Sequence, residues 1–207
     1  MKLDVVAAVC TRGTMHSRTA EAMDANLIDR GIDWDRVWEH SKSIPDAQNS
    51  VIEKALALDP KWVWMVEEDV EPPADALEKM LVAPSPVVAM TYKLKGGQWC
   101  HKVNHAGRLI FAGTGCLLIQ AELLRNMSRP WFRTDLFYSY DAWTGKWSEP
   151  VKNDQETYGK HDIHFFATLA QRGVYGVLAE GKCKHWHVVK PGAANSNKGC
   201  HQIEEWN

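Results

Sequence analysis

The sequence predicts an α/β protein: a mixed, mainly parallel sheet flanked by helices, with an aromatic-rich loop or flap set against it. Three observations carry this expectation. Strand-like and helix-like segments alternate through the first 66 residues. The apolar run 62–66 then breaks abruptly into Glu67-Glu68-Asp69 and Pro72-Pro73. Finally, 207 residues that are 45% hydrophobic and 24% charged suit one globular domain with a sizeable core. Alternating strands and helices build parallel sheets, because each crossover helix covers a sheet face.

Taken in order, residues 3–9 form the first strand, ending at Cys10-Thr11-Arg12-Gly13. Ala20, Met23 and Leu27 recur at helical spacing over 16–29, and Gly31 closes that helix. A short strand spans 36–40. The helix over 47–58 buries Val51, Ile52, Ala55 and Leu56 and stops at Pro60. Residues 62–66 are too short for a helix and read as a strand buried on both faces. A helix at 74–81 and a strand at 87–92 follow. Residues 93–107 form a polar loop holding Lys93, Lys95 and Lys102, with Trp99, His101 and His105.

Gly113-Thr114-Gly115 opens an apolar strand reaching Ile119, where the glycines allow either close approach of a ligand or a bulge. A helix begins at Ala121. Residues 127–158 carry Trp131, Phe132, Phe137, Tyr138, Tyr140, Trp143 and Trp147 without a period. A flap is expected there, since long aperiodic loops are commonly lids. The helix 162–172 turns Ile163, Phe166, Leu169 and Ala170 inward and ends at Gly173. A strand is predicted at 174–179. Residues 183–189 alternate, which puts Cys183, His185 and His187 on one face. The tail 190–207 has no period.

Composition narrows the function. A net charge of −2 gives no general pull toward nucleic acid or anionic membranes. No run approaches the length of a membrane span, and Asp4 interrupts the short apolar run at the start, so a signal peptide is not expected. Cysteines 10, 100, 116, 183 and 200 include no CxxC pair, which suggests free thiols in a reducing cytoplasm. Ten tryptophans supply stacking surface for sugars or bases as well as core packing.

The acids after residue 66 are the centre of the reading. Three carboxylates at the end of a buried strand repel one another and are costly to desolvate. Mg²⁺ or Mn²⁺ relieves that cost, because hard ions prefer carboxylate oxygen and also hold substrate phosphates. On that basis, removing one carboxylate relieves repulsion in the metal-free protein. Ligands of such sheets bind beyond the carboxyl ends of the strands. Thr11-Arg12 and Glu67-Glu68-Asp69 both sit at such ends, so the topology brings a cation and acids to one rim.

At this point the chain resembles the GT-A (Rossmann-like) glycosyltransferases, particularly the family-2-like enzymes. The resemblance runs in order over most of the chain, as a single domain. It comprises Thr11-Arg12, the helix with Gln48-Asn49, the strand into Glu67-Glu68-Asp69, Gly113-Thr114-Gly115, Pro130-Trp131-Phe132, the helix opened by Asp162, and the His185/His187 strand. It implies a nucleotide-sugar donor, expected to be a UDP-sugar, bound over residues 1–92, with the acceptor over 93–189 and an irregular tail at 190–207. Asp69 would be the principal metal ligand, and Glu67 or Glu68 would contact the metal, its waters or the ribose. His185 or His187 would complete the site around Mn²⁺ or Mg²⁺. Thr11, Arg12 and Asn49 would line the nucleoside pocket, and Asp162 would be the base that takes the acceptor's proton. The sequence departs from the family in reading Glu67-x-Asp69 for Asp-x-Asp, His161-Asp162 for an acidic pair, and Glu39-His40-Ser41 after the second strand. The acceptor is left open among a glycan, a small molecule, a protein and a modified DNA base.

Two other readings compete. One is a zinc site of Cys183, His185, His187, Cys200 and His201, whose spacing matches no common structural-zinc pattern. The other is a non-catalytic glycan-binding protein whose acids hold Ca²⁺.

Overall fold

Residues 5–9 are all apolar and none is more than 1% exposed. A strand so uniformly apolar must be covered on both faces, and the fold supplies the cover. The computed structural model describes residues 2–40, 42–94, 97–152, 160–188 and 203–205, with the backbone alone at 187–188 and 203–205. The first half of the chain gives β1 (Val5–Thr11), α1 (Ser17–Leu27), β2 (Trp34–His40), α2 (Ile44–Ala57), β3 (Trp62–Glu67), β4 (Val70–Glu71), α3 (Ala76–Leu81) and β5 (Val87–Thr91). Next come β6 (His101–Val103), β7 (Leu109–Ala112), β8 (Cys116–Gln120) and α4 (Ala121–Arg125). Four two-residue strands follow: β9 (Leu136–Phe137), β10 (Tyr140–Asp141), β11 (Lys146–Trp147) and β12 (Val151–Lys152). The chain continues with α5 (His161–Gln171), β13 (Val177–Lys182), β14 (Lys184–Val188) and β15 (Ile203–Glu205).

The central six-stranded sheet has the order β13-β5-β8-β3-β1-β2. β1 is parallel to β2 and β3, and β5 to β13, while β8 is antiparallel to both its neighbours, β3 and β5. The mixed, mainly parallel sheet flanked by helices is therefore present as expected. Alternate residues feed two cores. Val6, Ala8, Val63, Met65, Leu117 and Ile119 pack with Val51, Ile52 and Phe165 of α2 and α5. Val5, Ala7, Val9, Trp64, Val66 and Leu118 pack with Met23, Leu27, Leu77 and Met80 of α1 and α3. Each fully buried branched or aromatic side chain contributes roughly 1.5–3 kcal/mol.

Several boundaries differ from the sequence reading. The loop at 93–107 contains β6, paired antiparallel with β7. The strand expected at 174–179 begins at Val177, because Gly176 lies close under Val87 and Leu109. Part of the expected flap is core: Trp131, Phe132 and Tyr138 are 1%, 1% and 5% exposed. Trp131 Nε1 donates to the Leu124 carbonyl at 3.0 Å. These aromatics lack a period because they fill gaps beside α4 and α5 from an irregular segment. Residues 153–159 of that stretch, Lys95 and most of the 190–207 tail lie outside the described residues.

Gly113 and Gly115 make room for the protein itself. A Cβ at Gly115 would lie 2.7 Å from Val70 Cγ2 and 2.8 Å from the Tyr92 ring, and one at Gly113 would strike Tyr92 Oη and Cys100 Sγ. Gly115→Ala is expected to cost about 2 kcal/mol through overpacking, lowering Tm by roughly 6 °C. A thermal melt unchanged within error would refute this account of the glycine.

Candidate active site

One rim of the sheet collects the ends of several elements. β1 ends there at Thr11 and β3 at Glu67. β8, running the other way, starts there just after Thr114 and Gly115. The three consecutive acids take different sets of partners, with Arg12 shared by Glu68 and Asp69. Glu68, 6% exposed, accepts from Thr11 Oγ1 and the Arg12 backbone nitrogen, each at 2.6 Å, and from Arg12 Nε. Glu67 accepts from Thr114 Oγ1 at 2.7 Å, and that hydroxyl accepts from Gln48 Nε2 at 2.7 Å. Asp69 stands between Arg12, whose Nη2 is 3.1 Å from Oδ2, and His185, whose Nε2 is 3.7 Å from Oδ1.

His185 arrives from the far end of the chain. β14 pairs antiparallel with β4, setting His185 opposite Val70, the residue after Asp69. Trp186 fixes the register: its backbone nitrogen donates to the Asp69 carbonyl and its Nε1 to Glu71 Oε2, both at 2.8 Å. The indole lies under the His16 ring, at 5.2 Å and 9° between planes, with the Arg18 guanidinium 4.8 Å from its centre. His185 Nδ1 is 3.0 Å from the Lys93 carbonyl. A carbonyl only accepts, so Nδ1 carries a proton and Nε2 is the nitrogen turned to Asp69.

Electrostatics follow from these contacts. Burial pushes Asp69 up, but the hydrogen bond and charge of His185, with Arg12, outweigh it and hold the carboxyl below its ordinary value. For His185 burial disfavours the charged ring, yet Asp69 and the Lys93 carbonyl raise it overall. Glu67, buried and beside the Asp69 charge, is pushed up to about 7 despite the Thr114 bond. Burial likewise raises Asp162 to about 6, opposed by the bond from the Ile163 nitrogen at 2.9 Å. The Asp162 charge contributes to the upward shifts of both Glu67 and Cys100.

Comparison with solved structures now decides the architecture. The chain superposes on A197 from STIV with a TM-score of 0.58 and 15% identity, covering 91% of this chain and 87% of that one. It also superposes on a mutant Drosophila β-1,4-galactosyltransferase 7 in complex with manganese, UDP-Gal and xylobiose, with a TM-score of 0.53 and 12% identity, covering 89% and 71%. The fold is GT-A-like. No protein family and no curated protein matches the sequence.

On this GT-A-like frame the expected residues separate into groups. Thr11, Arg12, Glu67, Glu68, Asp69 and His185 gather at the rim. Asn49 does not turn to Thr11 or Arg12; its Nδ2 donates to the Phe132 carbonyl at 2.9 Å, and its Oδ1 accepts from the nitrogens of Trp131 and Phe132 at 2.9 and 3.1 Å. Glu39 binds Ser50, Lys42 and Lys54 and is lowered to about 2, chiefly by the Ser50 hydroxyl. It is a staple between β2 and α2. Asp162 is the second residue of α5, and Lys160 occupies the cap position. His187 lies in β14 opposite Glu204, and its side chain is outside the described residues.

Among the described residues no three His, Cys, Asp or Glu side chains are arranged to enclose a metal ion. The Glu67 and Glu68 carboxylates are directed to Thr114 and Arg12, which leaves the Asp69–His185 pair. Mg²⁺-type ions commonly take one or two protein ligands and complete their shell with water and substrate phosphate, so this pair fits such an ion. Of the five-residue zinc set, the His187 side chain lies outside the described residues. The Cys183 thiol packs in the core against that of Cys116, and Cys200 and His201 lie outside the described residues. Sequence reasoning missed the roles of Gln48, Tyr92, Trp186 and the Lys93 carbonyl. Gln48 and Thr114 had a signal, as members of Gln48-Asn49 and Gly113-Thr114-Gly115.

Proposed function

We propose that this chain is a metal-dependent glycosyltransferase of the family-2-like kind, moving a sugar from a UDP-sugar to an acceptor hydroxyl. The observation that best supports it is the meeting, at one sheet rim, of the Asp69–His185 pair with the Arg12 guanidinium. In this reading Asp69 and His185 hold Mn²⁺ or Mg²⁺, with His187 the alternative histidine, and the donor lies over residues 1–92. A bound ion would supply charge neutralisation at the departing diphosphate. Arg12, exposed along much of its length, turns from Asp69 to a phosphate oxygen, and Thr11 and Glu68 fix the loop that carries it. Glu67, held by Thr114, stiffens the end of β3. Asn49 shapes the pocket indirectly through the 131–132 backbone.

Asp162 takes the proton of the acceptor hydroxyl as its oxygen bonds to the anomeric carbon. The bond from that carbon to the phosphate oxygen breaks, and its electron pair leaves with the diphosphate. The acceptor lies over residues 93–189. A cytoplasmic setting suits the free thiols of Cys10, Cys100, Cys116 and Cys183.

The test is a thermal-shift panel of nucleotides and nucleotide sugars with and without Mn²⁺, since a ligand that binds only the folded state raises Tm. A shift with UDP-sugars that needs Mn²⁺ is expected. His185→Ala should remove most of the Mn²⁺-dependent part and leave the Tm of the unliganded protein within a few degrees. No shift with any nucleotide sugar would overturn the proposal, and a full shift in His185→Ala would remove His185 from it.

A further inference from the structure

Trp143 is 96% exposed, the most exposed of the large apolar side chains among the described residues. It is not at a frayed end. It sits at the tip of the β10–β11 hairpin, where Tyr140 pairs with Trp147 and Asp141 with Lys146. Asp141 organises the turn: its Oδ1 accepts from the Trp143 nitrogen at 2.9 Å, its Oδ2 from Thr144 Oγ1 at 2.7 Å, and its carbonyl from the Gly145 nitrogen at 2.8 Å. Gly145 takes a φ of 69°, which suits glycine. Below the ladder, the Ser148 nitrogen donates to the Ser139 carbonyl at 2.8 Å.

The hairpin is rooted beside the proposed base. The ring of Trp147 meets Tyr138 edge-on at 6.4 Å, and Tyr138 Oη is 2.8 Å from His164 Nδ1. His164 lies in the first turn of α5, two positions after Asp162. From Trp147 to Trp143 the chain advances at most about 13 Å at the rise of a strand. Through Trp147, Tyr138 and His164 the hairpin that carries the exposed indole is tied to the first turn of α5.

We propose that Trp143 is a distal acceptor subsite that stacks on the face of a sugar ring, so that the acceptor is an oligosaccharide. A pre-ordered indole presents a flat apolar face at little entropic cost. Its neighbours Asp141, Thr144 and Lys146 are polar and suit hydroxyls. A single indole among charges matches one pyranose ring better than it matches an apolar protein interface or a bilayer. This inference rests on the acceptor side of the glycosyltransferase reading.

The full chain, Trp143→Ala and Trp143→Phe are to be compared on a microarray of neutral oligosaccharides from one to six residues long. Binding of the full chain should appear above a minimum length. Trp143→Ala should weaken it about tenfold or more, the scale of a lost stacking contact, while Trp143→Phe stays within about threefold. Monosaccharides should not discriminate the variants. Equal binding by the full chain and Trp143→Ala, or binding to no oligosaccharide at all, overturns the subsite. So does a Trp143-dependent dimer or Trp143-dependent pelleting with phosphatidylcholine vesicles in place of glycan binding. The Mn²⁺-dependent UDP-sugar shift is read in parallel: its absence, with Trp143-dependent glycan binding intact, refutes the transferase reading and with it the acceptor role, leaving Trp143 a glycan contact only, whereas its presence with glycan binding that ignores Trp143 refutes the subsite alone.

Discussion

Asp69→Asn is expected to abolish Mn²⁺-dependent binding of a UDP-sugar and to lower turnover by at least about a thousandfold. Asp69 is the only one of the three consecutive acids whose carboxylate is turned to a histidine, with His185 Nε2 3.7 Å away. Removing its charge takes away half of the pair proposed to hold the ion. The acid stretch taken alone suggests that losing a carboxylate relieves repulsion. That repulsion is present, since the Asp69 charge helps to raise Glu67, but the contacts with His185 and Arg12 hold Asp69 itself below its ordinary pKa. Its charge is therefore stabilising, and the Asn variant should lose about 2 kcal/mol, the scale of a hydrogen bond to a charged group. Isothermal titration with Mn²⁺ and UDP, alongside a thermal melt, checks both statements. Undiminished turnover in Asp69→Asn, or in saturating chelator, would rule out this role.

Asp162→Asn is expected to reduce turnover by at least about a hundredfold, the usual scale of lost acid–base catalysis, while UDP-sugar binding stays near normal. The side chain is not a helix cap, since the cap position belongs to Lys160. An Asn oxygen can still accept from the Ile163 nitrogen, so the local fold should persist. Burial raises the Asp162 carboxyl to about 6. For a carboxyl raised this way, the fold favours the protonated form and ionisation above that pH works against stability. The neutral Asn should then be as stable as the parent at pH 7, or slightly more so. The pH profile has a matching sign: turnover by the parent should rise through about pH 6 as the base ionises, and the variant should lack that limb. Product with an inverted anomeric centre, read by NMR, is expected. Near-parental turnover by Asp162→Asn would assign the residue to structure.

The sheet was readable because its strands announce themselves. Runs such as 62–66 must be covered on both sides, and helical stripes such as Val51, Ile52 and Ala55 supply the cover. The acids were readable for the opposite reason, since charges placed against such a run need a compensating partner. The identity of each partner was not. Nothing along the chain says which of Glu67, Glu68 and Asp69 meets which partner; the end of β3 and the turn after it send Glu67 to Thr114, Glu68 to Thr11 and Arg12, and Asp69 to Arg12 and His185. Asn49 and Glu39 show the same limit: a polar side chain near a rim serves the backbone or a neighbouring helix as readily as a ligand. The aromatics at 131, 132 and 138 misled because irregular segments bury side chains without a period.

One feature of the β4–β14 pairing bears on the order in which the protein assembles. The bond from Trp186 to Glu71 joins positions 115 residues apart, whereas Arg12 meets Glu68 and Asp69 across 56 and 57. Contacts between distant positions close late, because a longer loop must be ordered first. A chain emerging from the ribosome thus carries its acids beside Arg12 well before His185 exists. The guanidinium is the early counter-ion of the rim and the histidine its late one. The proposed competence to hold an ion then waits until β14 has been made and paired with β4.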